Sequence, residues 1–526
     1  MKKSNFYLSV LCIFIIGCLN AQSNDPKKPN ILIIMVDDVA QNSLSCYTHG
    51  MQYPTPNIDR IAKNGLLFTD SYAQPSCTAG RAALITGQLP IRTGLTTVGQ
   101  PGNPIGLKKE DPTLAELLKP KGYATCQIGK NHLGDRNEHL PTVHGFDQFY
   151  GILYHLNVLE EPEQEDYPKS ADFKKRFGPR GIIESFASGK EDGTVDPRFG
   201  KIGKQSVKDL GPLTSEMMKF FDDTCVARSK KFIKNSISSN KPFFLWFNSS
   251  RMHVYTHLKD EHRNLATKIS EEDDLFGSGI MEHDLQVGEL LDYLNQMGVA
   301  DNTIVIYTSD NGPEQSTWPH AGTTMFRGEK MTTWEGGVRV PFLVCWPKAI
   351  PAGEYRNGIT SLEDVVPTIM AAVGEGDVKD KLTKGFKAGD MTYKVHLDGF
   401  NSLDYWAGKT ATPARNIYYY WYESSLSGIR VGPWKLLFAS KPNGKYNGDM
   451  IKHTMPMLFN LRKDPFEVYD GETGFRHIME KSWVFQPAVA YIQELMATFK
   501  DFPVRQGAAS LDLNKAVDDA LKATNN

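Results

Sequence analysis

The residues with the most distinctive chemistry lie in the stretch 76–87. Residues 82–85 (Ala-Ala-Leu-Ile) are compatible with a helix and Gly87 can end it. Cys77 is therefore predicted near a helix N-terminus, where free N–H groups and the helix dipole favour an anion or a thiolate. Arg81 follows one turn later, so its guanidinium shares a face with the thiol. A lone cysteine is often a buried structural residue, and this arginine favours the functional interpretation.

Oxygen-bearing side chains follow two predicted strands. The apolar runs 31–36 and 303–308 are typical of strands buried on both faces of a mostly parallel sheet. Carboxylates at the C-terminal ends of such strands are costly to desolvate without a cation, and ligand sites in open α/β sheets lie at these ends. Oxygen ligands from two strand ends suit a hard divalent cation such as Ca²⁺. The four candidate ligands are Asp37, Asp38, Asp310 and Asn311.

Cationic and imidazole side chains follow other predicted strands. One strand leads into Lys130 and His132, and alternate residues of an extended segment point the same way, so both can face one pocket. The apolar run 242–248 predicts another strand, followed by His253 and then His257. We prefer His253 as the functional histidine because it stands closer to the strand end.

Residues 77–81 (Cys-Thr-Ala-Gly-Arg) resemble the sulfatase signature, in which Cys or Ser is followed by any residue, Pro or Ala, any residue and Arg. Other segments resemble blocks of the same family in the same order, with Asn131 standing where the family usually has Trp. The resemblance spans about residues 30–468. These other blocks are 37–38, 129–134, 310–312, 327–330 and 334–341.

The resemblance implies a cofactor and a modified residue. In the family the signature cysteine, here Cys77, is oxidised by a maturase to formylglycine, an aldehyde whose hydrate is the nucleophile. Ca²⁺ would be bound by the four oxygen ligands named above. Four oxygen ligands beside a nucleophile and several cations also suit displacement at a tetrahedral oxyanion ester on chemical grounds alone.

The resemblance also implies roles for the charged residues. Arg81 would stabilise the hydrated aldehyde, and Lys130 and Lys330 would hold the sulfate oxygens. His253, assisted by Lys330, would protonate the leaving alcohol. His132 would take the remaining hydroxyl proton so that sulfate is expelled.

The implied activity is hydrolysis of sulfate esters, on sulfated carbohydrate or aryl sulfate. A phosphodiesterase or phosphonate monoester hydrolase using the same aldehyde and metal is the nearest alternative. A non-catalytic glycan-binding surface lipoprotein that kept the fold is an alternative of another class. We expect Trp318, His320, Arg327 and a polar insertion over 156–209 to shape the substrate entrance.

The N-terminus predicts export. Two lysines followed by the apolar run 6–17 have the form of a secretory signal, too short to span a bilayer comfortably, and no later segment reads as a transmembrane helix. Cleavage after Ala21 is one option; the other is a lipobox that makes Cys18 a lipidated first residue. We favour simple export to the periplasm over a lipid anchor. The net charge of −2 predicts no nucleic-acid partner.

Five cysteines lie beyond the signal segment, and an odd number in an exported protein points to one special thiol, which suits Cys77. The others have no spacing that argues for a zinc site or a definite disulfide framework. These others are Cys46, Cys126, Cys225 and Cys345.

The chain length of 526 residues favours a large core domain plus a smaller one. We predict the α/β class, with a large, mostly parallel mixed sheet sandwiched by helices. The family resemblance implies that this fold is alkaline-phosphatase-like. The predicted divisions are a signal peptide over 1–21, a catalytic domain over 26–410 and an α+β subdomain over 411–526. Short strands at hairpin spacing give this subdomain an antiparallel sheet, followed by a helix and a wrapping or mobile tail. An earlier helix over 111–118 is expected to be capped by Asp111.

Overall fold

The computed structural model describes residues 28–270 and 274–511. The predicted signal peptide, including Cys18, and the end of the predicted tail lie outside these residues. Among the described residues, no helix is both long enough and apolar enough to cross a membrane. The five cysteines within this part are all unpaired thiols.

The secondary structure alternates strands and helices over most of the chain. In chain order the strands are β1 (Asn30–Val36), β2 (Leu66–Phe68), β3 (Ser71–Tyr72), β4 (Ala124–Lys130), β5 (Gln148–Ile152), β6 (Ile183–Asp196), β7 (Gly200–Asp209), β8 (Phe243–Asn248), β9 (Thr303–Ser309), β10 (Phe342–Cys345), β11 (Glu354–Arg356), β12 (Thr360–Ser361), β13 (Phe386–Ala388), β14 (Met391–Tyr393), β15 (Ile417–Tyr422), β16 (Ser425–Val431), β17 (Trp434–Ser440) and β18 (Ile451–Asn460). The α-helices are α1 (Ser45–Thr48), α2 (Pro56–Lys63), α3 (Cys77–Thr86), α4 (Pro90–Thr93), α5 (Leu114–Leu118), α6 (Leu156–Glu160), α7 (Ala171–Phe177), α8 (Ser215–Ser238), α9 (Thr267–Ser270), α10 (Leu275–Gln296), α11 (Glu335–Val338), α12 (Val365–Ala372), α13 (Val378–Lys384), α14 (Leu403–Trp406), α15 (Gly471–Glu480) and α16 (Phe485–Asp501).

In the described part of the chain, ten strands form one mixed sheet in the order β11-β2-β10-β9-β1-β8-β4-β5-β6-β7. The five central strands, β9-β1-β8-β4-β5, are all parallel to their neighbours. Antiparallel pairs occur only towards the edges, where β10 joins β9 and β2, and β6 joins β5 and β7. The predicted α/β class with a mostly parallel mixed sheet is confirmed.

Helices cover both faces of the sheet. Strand β1 lies between the two layers of helices, so its side chains are buried on both faces of the sheet. Its residues Ile31, Ile33 and Met35 belong to one apolar core, together with residues of α3, α5 and α12. Its alternate residues join a second core with residues of α2, α8 and α10. A continuous apolar run is therefore required, as expected for a parallel strand covered by helices.

The C-terminal part is built on the antiparallel sheet β15-β16-β17-β18, with α16 packed against β16. A buried ion cluster joins this sheet to the rest of the protein: Lys435 Nζ lies 3.1 Å from Glu335 and 2.6 Å from Glu467. Residues 503–511 then run back across the larger part, with Ala509 N donating to Gly94 O at 2.9 Å. The tail therefore wraps the protein as far as it is described.

The polar insertion over 156–209 contains two long strands that the sequence pattern does not predict. Strands β6 and β7 pair with each other and extend the main sheet at one edge. The outer half of β6 is exposed at every residue. Because neither face of that half is buried, its sequence shows no apolar alternation, and periodicity could not reveal the strand.

The cap of helix α5 is another difference. Thr113, not Asp111, is the N-cap residue, and its hydroxyl accepts a hydrogen bond from Glu116 N. The Glu116 carboxylate in turn accepts one from Thr113 N at 2.8 Å, which completes a capping box. The prediction placed the cap two residues too early because aspartate is also a favoured cap residue.

Candidate active site

Cys77 is the first residue of α3, and all ten residues of this helix are buried. The helix ends at Gly87, whose φ of 68° is left-handed, as the sequence predicts. Gly80 allows the helix to approach the loop after β9, because a Cβ atom there would lie 1.9 Å from Asp310 O. This close approach sets the cysteine beside the ends of the central strands.

The predicted oxygen ligands lie together at the C-terminal ends of β1 and β9, which are neighbours in the sheet. Asp38 N donates to Asp310 Oδ1 at 3.3 Å, and Asn311 Nδ2 donates to Asp38 Oδ1 at 2.6 Å. The Sγ atom of Cys77 lies 3.9 Å from Asp38 Oδ1. The structure therefore brings the cysteine and the oxygen ligands into one cluster.

Three buried cations contact this cluster. Arg81 lies 2.7 Å from Asp310 and 3.6 Å from Asp37. Lys130 Nζ lies 2.5 Å from the same Asp37 carboxylate. Lys330 Nζ donates to Asp38 Oδ2 at 2.7 Å. Positive charge so close to buried carboxylates offsets part of their desolvation cost.

The electrostatic balance differs between the two adjacent aspartates. Burial would raise the pKa of Asp37, but Lys130 and Arg81 hold that pKa well below its usual range. Burial raises the pKa of Asp38 to about 7, since Lys330 is opposed there by neighbouring carboxylates. The carboxylate of Asp38 therefore lacks sufficient neutralising charge from the protein.

The donor set fits a hard divalent cation. Within the described residues, the buried atoms Asp37 Oδ1 and Asn311 Oδ1 accept no hydrogen bond. Ligand atoms of Asp37, Cys77 and Asp310 lie within 4.8 Å of one another. Carboxylate and amide oxygens are the ligands that Ca²⁺ prefers. Unsatisfied buried oxygens and a carboxylate short of positive charge are what a bound cation would resolve.

The thiol itself is not activated as an anion. Burial raises the pKa of Cys77 well above its usual value, and the nearby aspartates act in the same direction, against Lys130 and Lys330. The favourable effect expected from the helix N-terminus is thus overcome by desolvation. An unmodified thiol at this position is neutral at pH 7.

Of the two predicted histidines, His253 and His132, only the first borders the cavity in front of Cys77. His253 lines the cavity that contains Cys77, and its Nδ1 lies 2.8 Å from Val254 O. His132 lies deeper, with Nε2 3.2 Å from Gly99 O. The rejected alternative, His257, pairs with Glu160 at 2.7 Å and does not line this cavity.

The cavity in front of Cys77 has a volume of about 300 Å³. The residues expected at the entrance, Trp318, His320 and Arg327, do not line it. Arg327 instead pairs with Asp470 at 2.5 Å, on the C-terminal subdomain. Sequence reasoning missed several lining residues, for which no local motif gave a signal. They are Val98, Gln100, His155, Glu314, Tyr446 and Leu511.

The family model and the curated relatives name one family. The family model described as Sulfatase matches residues 29–375. Human arylsulfatase A is 31% identical over 465 residues, which is 84% of this chain and 83% of the relative. Human N-acetylgalactosamine-6-sulfatase is 28% identical over 466 residues, covering 85% and 82%. The crystal structure of the PsFucS1 sulfatase from Pseudoalteromonas sp. matches with a TM-score of 0.76 and 29% identity, covering 91% of this chain and 92% of that one.

Proposed function

Because this chain belongs to the sulfatase family, whose curated relatives are sulfuric ester hydrolases, we propose that it hydrolyses the sulfate esters of sulfated carbohydrates in the periplasm. The proposal includes a formylglycine formed from Cys77 by a maturase and a bound Ca²⁺. The human relative named N-acetylgalactosamine-6-sulfatase supports a sugar as the alcohol. The basic and apolar N-terminal sequence supports export.

One observation carries the proposal: Cys77 Sγ lies 3.9 Å from Asp38 in a buried cluster of carboxylates and cations. Such a cluster has no use for a neutral buried thiol, but it suits a bound oxyanion ester. In the proposed site Asp37, Asp38, Asp310 and Asn311 would hold the metal. Formylglycine would supply a hydrated aldehyde as nucleophile, and Ca²⁺ would supply positive charge beside the sulfate oxygens.

The basic residues then have separable tasks. Arg81 is fully buried and fixed by Asp310, so it supplies an immobile positive charge next to position 77. Lys130 contacts Asp37 and Lys330 contacts Asp38, so each lysine brings a positive charge to the cluster, where it can hold sulfate oxygens. Fixed positive charges stabilise developing negative charge without reorganisation, and each such donor typically contributes about 10²–10³ in rate.

The two histidines have the proton-transfer tasks. His253 lies in the cavity wall, where an alcohol would leave, and we assign it the proton donated to the leaving oxygen. Burial and the two lysines hold the pKa of free His253 well below its usual value. A bound sulfate anion opposes that effect and favours the protonated ring. His132, which is fully buried and does not line the cavity, would accept the proton released when sulfate departs.

The test is a comparison of matched esters. The protein, co-expressed with a maturase and loaded with Ca²⁺, is assayed on sulfate and phosphate monoesters and phosphate diesters of the same alcohols. Sulfate esters should be hydrolysed with the highest kcat/KM. A higher kcat/KM for phosphate or phosphonate esters would instead favour that alternative activity. Binding of sulfated glycans without turnover by a protein with unmodified Cys77 would favour the non-catalytic alternative.

A further inference from the structure

His155 stands between the two histidines that were predicted from the sequence. Its ring is nearly parallel to that of His253, with centroids 5.4 Å apart and an angle of 11°. Its other side meets the ring of His132 edge-on, at 5.6 Å. His155 is the last residue of the loop after β5 and the N-cap residue of α6, directly before the insertion, so no strand-end motif marks it.

The imidazole of His155 is buried yet borders the cavity. The residue is 6% exposed, and its Nδ1 has no hydrogen-bond partner among the described residues. It lines the cavity together with Cys77 and His253. A buried polar atom without a partner in the wall of a cavity indicates a ligand or a water that completes its hydrogen bonds.

The charge state of His155 suits a neutral ligand group. Burial lowers the pKa of His155 well below its usual value, and His253 and Lys130 add to the effect, against an opposing hydrogen bond with Asn157. At neutral pH the ring therefore has one N–H donor and one bare nitrogen acceptor. A hydroxyl group is also both donor and acceptor, whereas a sulfate oxygen only accepts.

Other neutral hydrogen-bonding side chains line the same cavity, beside the charged Glu314 and Lys330. Gln100, Asn157 and Thr317 place further neutral hydrogen-bonding side chains around the cavity. Its volume of about 300 Å³ lies at the small end of the range of roughly 300–1,000 Å³ for ligand pockets. A cavity of this size and polarity fits one sugar ring better than an extended aromatic group.

We propose that His155 is a specificity-determining residue that hydrogen-bonds a hydroxyl of the sugar ring carrying the sulfate ester. This inference rests on the proposed sulfatase function. It predicts that His155 distinguishes sugar sulfates, which offer neighbouring hydroxyls, from aryl sulfates, which do not. His155 and His253 are then in contact because both side chains face the sugar that carries the sulfate ester.

The test compares two classes of substrate with three forms of the matured, Ca²⁺-loaded protein: the unmutated protein, His155→Phe and His155→Gln. The probes are a panel of monosaccharide O-sulfates and 4-nitrophenyl sulfate, and the ratio of their kcat/KM values is the readout. His155→Phe keeps a flat ring against His253 but removes the hydrogen bond. We expect its kcat/KM to fall about tenfold on the best sugar sulfate and to stay within about twofold on the aryl ester. His155→Gln, which retains a donor and an acceptor, should recover part of the sugar preference.

Three outcomes separate the possibilities. Unchanged kcat/KM values on both substrates in His155→Phe would overturn the inference. Equal losses on both would also overturn it, because the ratio would stay the same and the ring would be a structural support for His253. If the phenylalanine form folds poorly, His155→Leu removes the same hydrogen bond and has the same expected ratio.

His477→Phe, the same change on the distant helix α15, is the matched control and should leave the ratio unaltered. Preference of the unmutated protein for phosphate esters would instead refute the proposed function.

Discussion

Lys330 Nζ lies 2.7 Å from Asp38 Oδ2, and both side chains are almost completely buried. The other oxygen of the same carboxylate accepts from Asn311 and faces Cys77. One side chain at the end of β1 thus joins a lysine, a predicted metal ligand and the candidate nucleophile. These groups come from four separate segments of the chain, and removing any one changes the charge balance of the others.

Replacement of the lysine tests that balance. In Lys330→Ala one fixed positive charge is lost beside Asp38, and kcat/KM on sulfate esters should fall about 10²–10³-fold. Steady-state kinetics on the matured protein give the measurement. Lys109→Ala removes a surface lysine and should have no effect on kcat/KM. Activity within twofold of the unmutated protein in Lys330→Ala would contradict the assigned role.

Calcium should stabilise the protein through the four oxygen ligands. Addition of Ca²⁺ to chelator-treated protein should raise Tm, with about 2.7 kcal/mol of stabilisation at a hundredfold excess over Kd. Asp38→Asn should lose most of this gain, while Asp260→Asn, at a highly exposed carboxylate, should keep it. Thermal unfolding with and without Ca²⁺ gives the comparison. An equal Ca²⁺-dependent rise in Asp38→Asn would place the metal elsewhere.

Calcium binding should also depend on pH. The pKa of Asp38 is raised to about 7 by burial and neighbouring carboxylates, and a ligand must lose its proton to bind the metal. Ca²⁺ affinity should therefore rise between about pH 5 and 7 and level off above 7. Calorimetric titration at several pH values, together with the number of protons released, would detect this. A flat affinity over that range would contradict the predicted proton release from Asp38.

The chemical state of residue 77 is open to direct measurement. After expression with a maturase, mass spectrometry of the peptide that contains Cys77 should show the aldehyde. Cys77→Ala should lose sulfatase activity by several orders of magnitude while retaining its fold, because alanine fits the same buried space. Full activity in Cys77→Ala, or an unaltered thiol in active protein, would exclude the formylglycine mechanism.

The capping box of α5 should make stability depend on pH. Burial raises the pKa of Glu116 to about 7 despite hydrogen bonds from Thr113 N and Tyr393 Oη. The folded state therefore binds the proton more tightly than the unfolded state. This contribution to stability is complete below about pH 4.5 and is lost as pH rises towards 7, by up to about 3 kcal/mol.

Glu116→Gln should remove that dependence while keeping an oxygen that accepts from Thr113 N. The measurement is Tm as a function of pH for the two proteins, and the difference between them should change across pH 4.5–7. Glu216→Gln, at an exposed carboxylate, serves as the control. A constant difference over that range would show that Glu116 titrates normally.

The ion cluster beneath the C-terminal sheet should be essential for stability. Lys435→Met would leave Glu335 and Glu467 buried without their shared cation, and we expect a loss of about 3–5 kcal/mol. Lys409→Met removes an exposed ion pair with Asp404 and should cost less than about 0.5 kcal/mol. Denaturant unfolding measures both. Equal effects of the two substitutions would mean that the cluster contributes little.

Much of the architecture followed from local sequence patterns. The apolar runs of β1, β8 and β9 predicted buried parallel strands because each face must meet a layer of helices. The helix after Cys77 and its glycine end followed from residue propensities within one short segment. These features depend on neighbours in the chain, and so they can be inferred without knowing the fold.

Other features escaped sequence reasoning for physical reasons. The strands β6 and β7 have no apolar alternation because much of their surface is exposed. Arg327 was expected near the substrate, but its guanidinium stacks on Trp334, with the ring centroid 3.7 Å away, and pairs with Asp470. A long charged side chain can reach in many directions, and only the packing around it selects one.

The sequence by itself determined the chemical groups of the candidate site and the strand ends and helix start from which they project. The tertiary structure alone decided how those groups meet, because Lys330 contacts Asp38 across 292 positions of the chain. It also decided which residues border the cavity in front of Cys77. His155 from the loop after β5, Tyr446 from the C-terminal subdomain and Leu511 from the tail reach it only by long-range packing. Local propensity carries no information on such approaches, since they depend on the surfaces of distant elements.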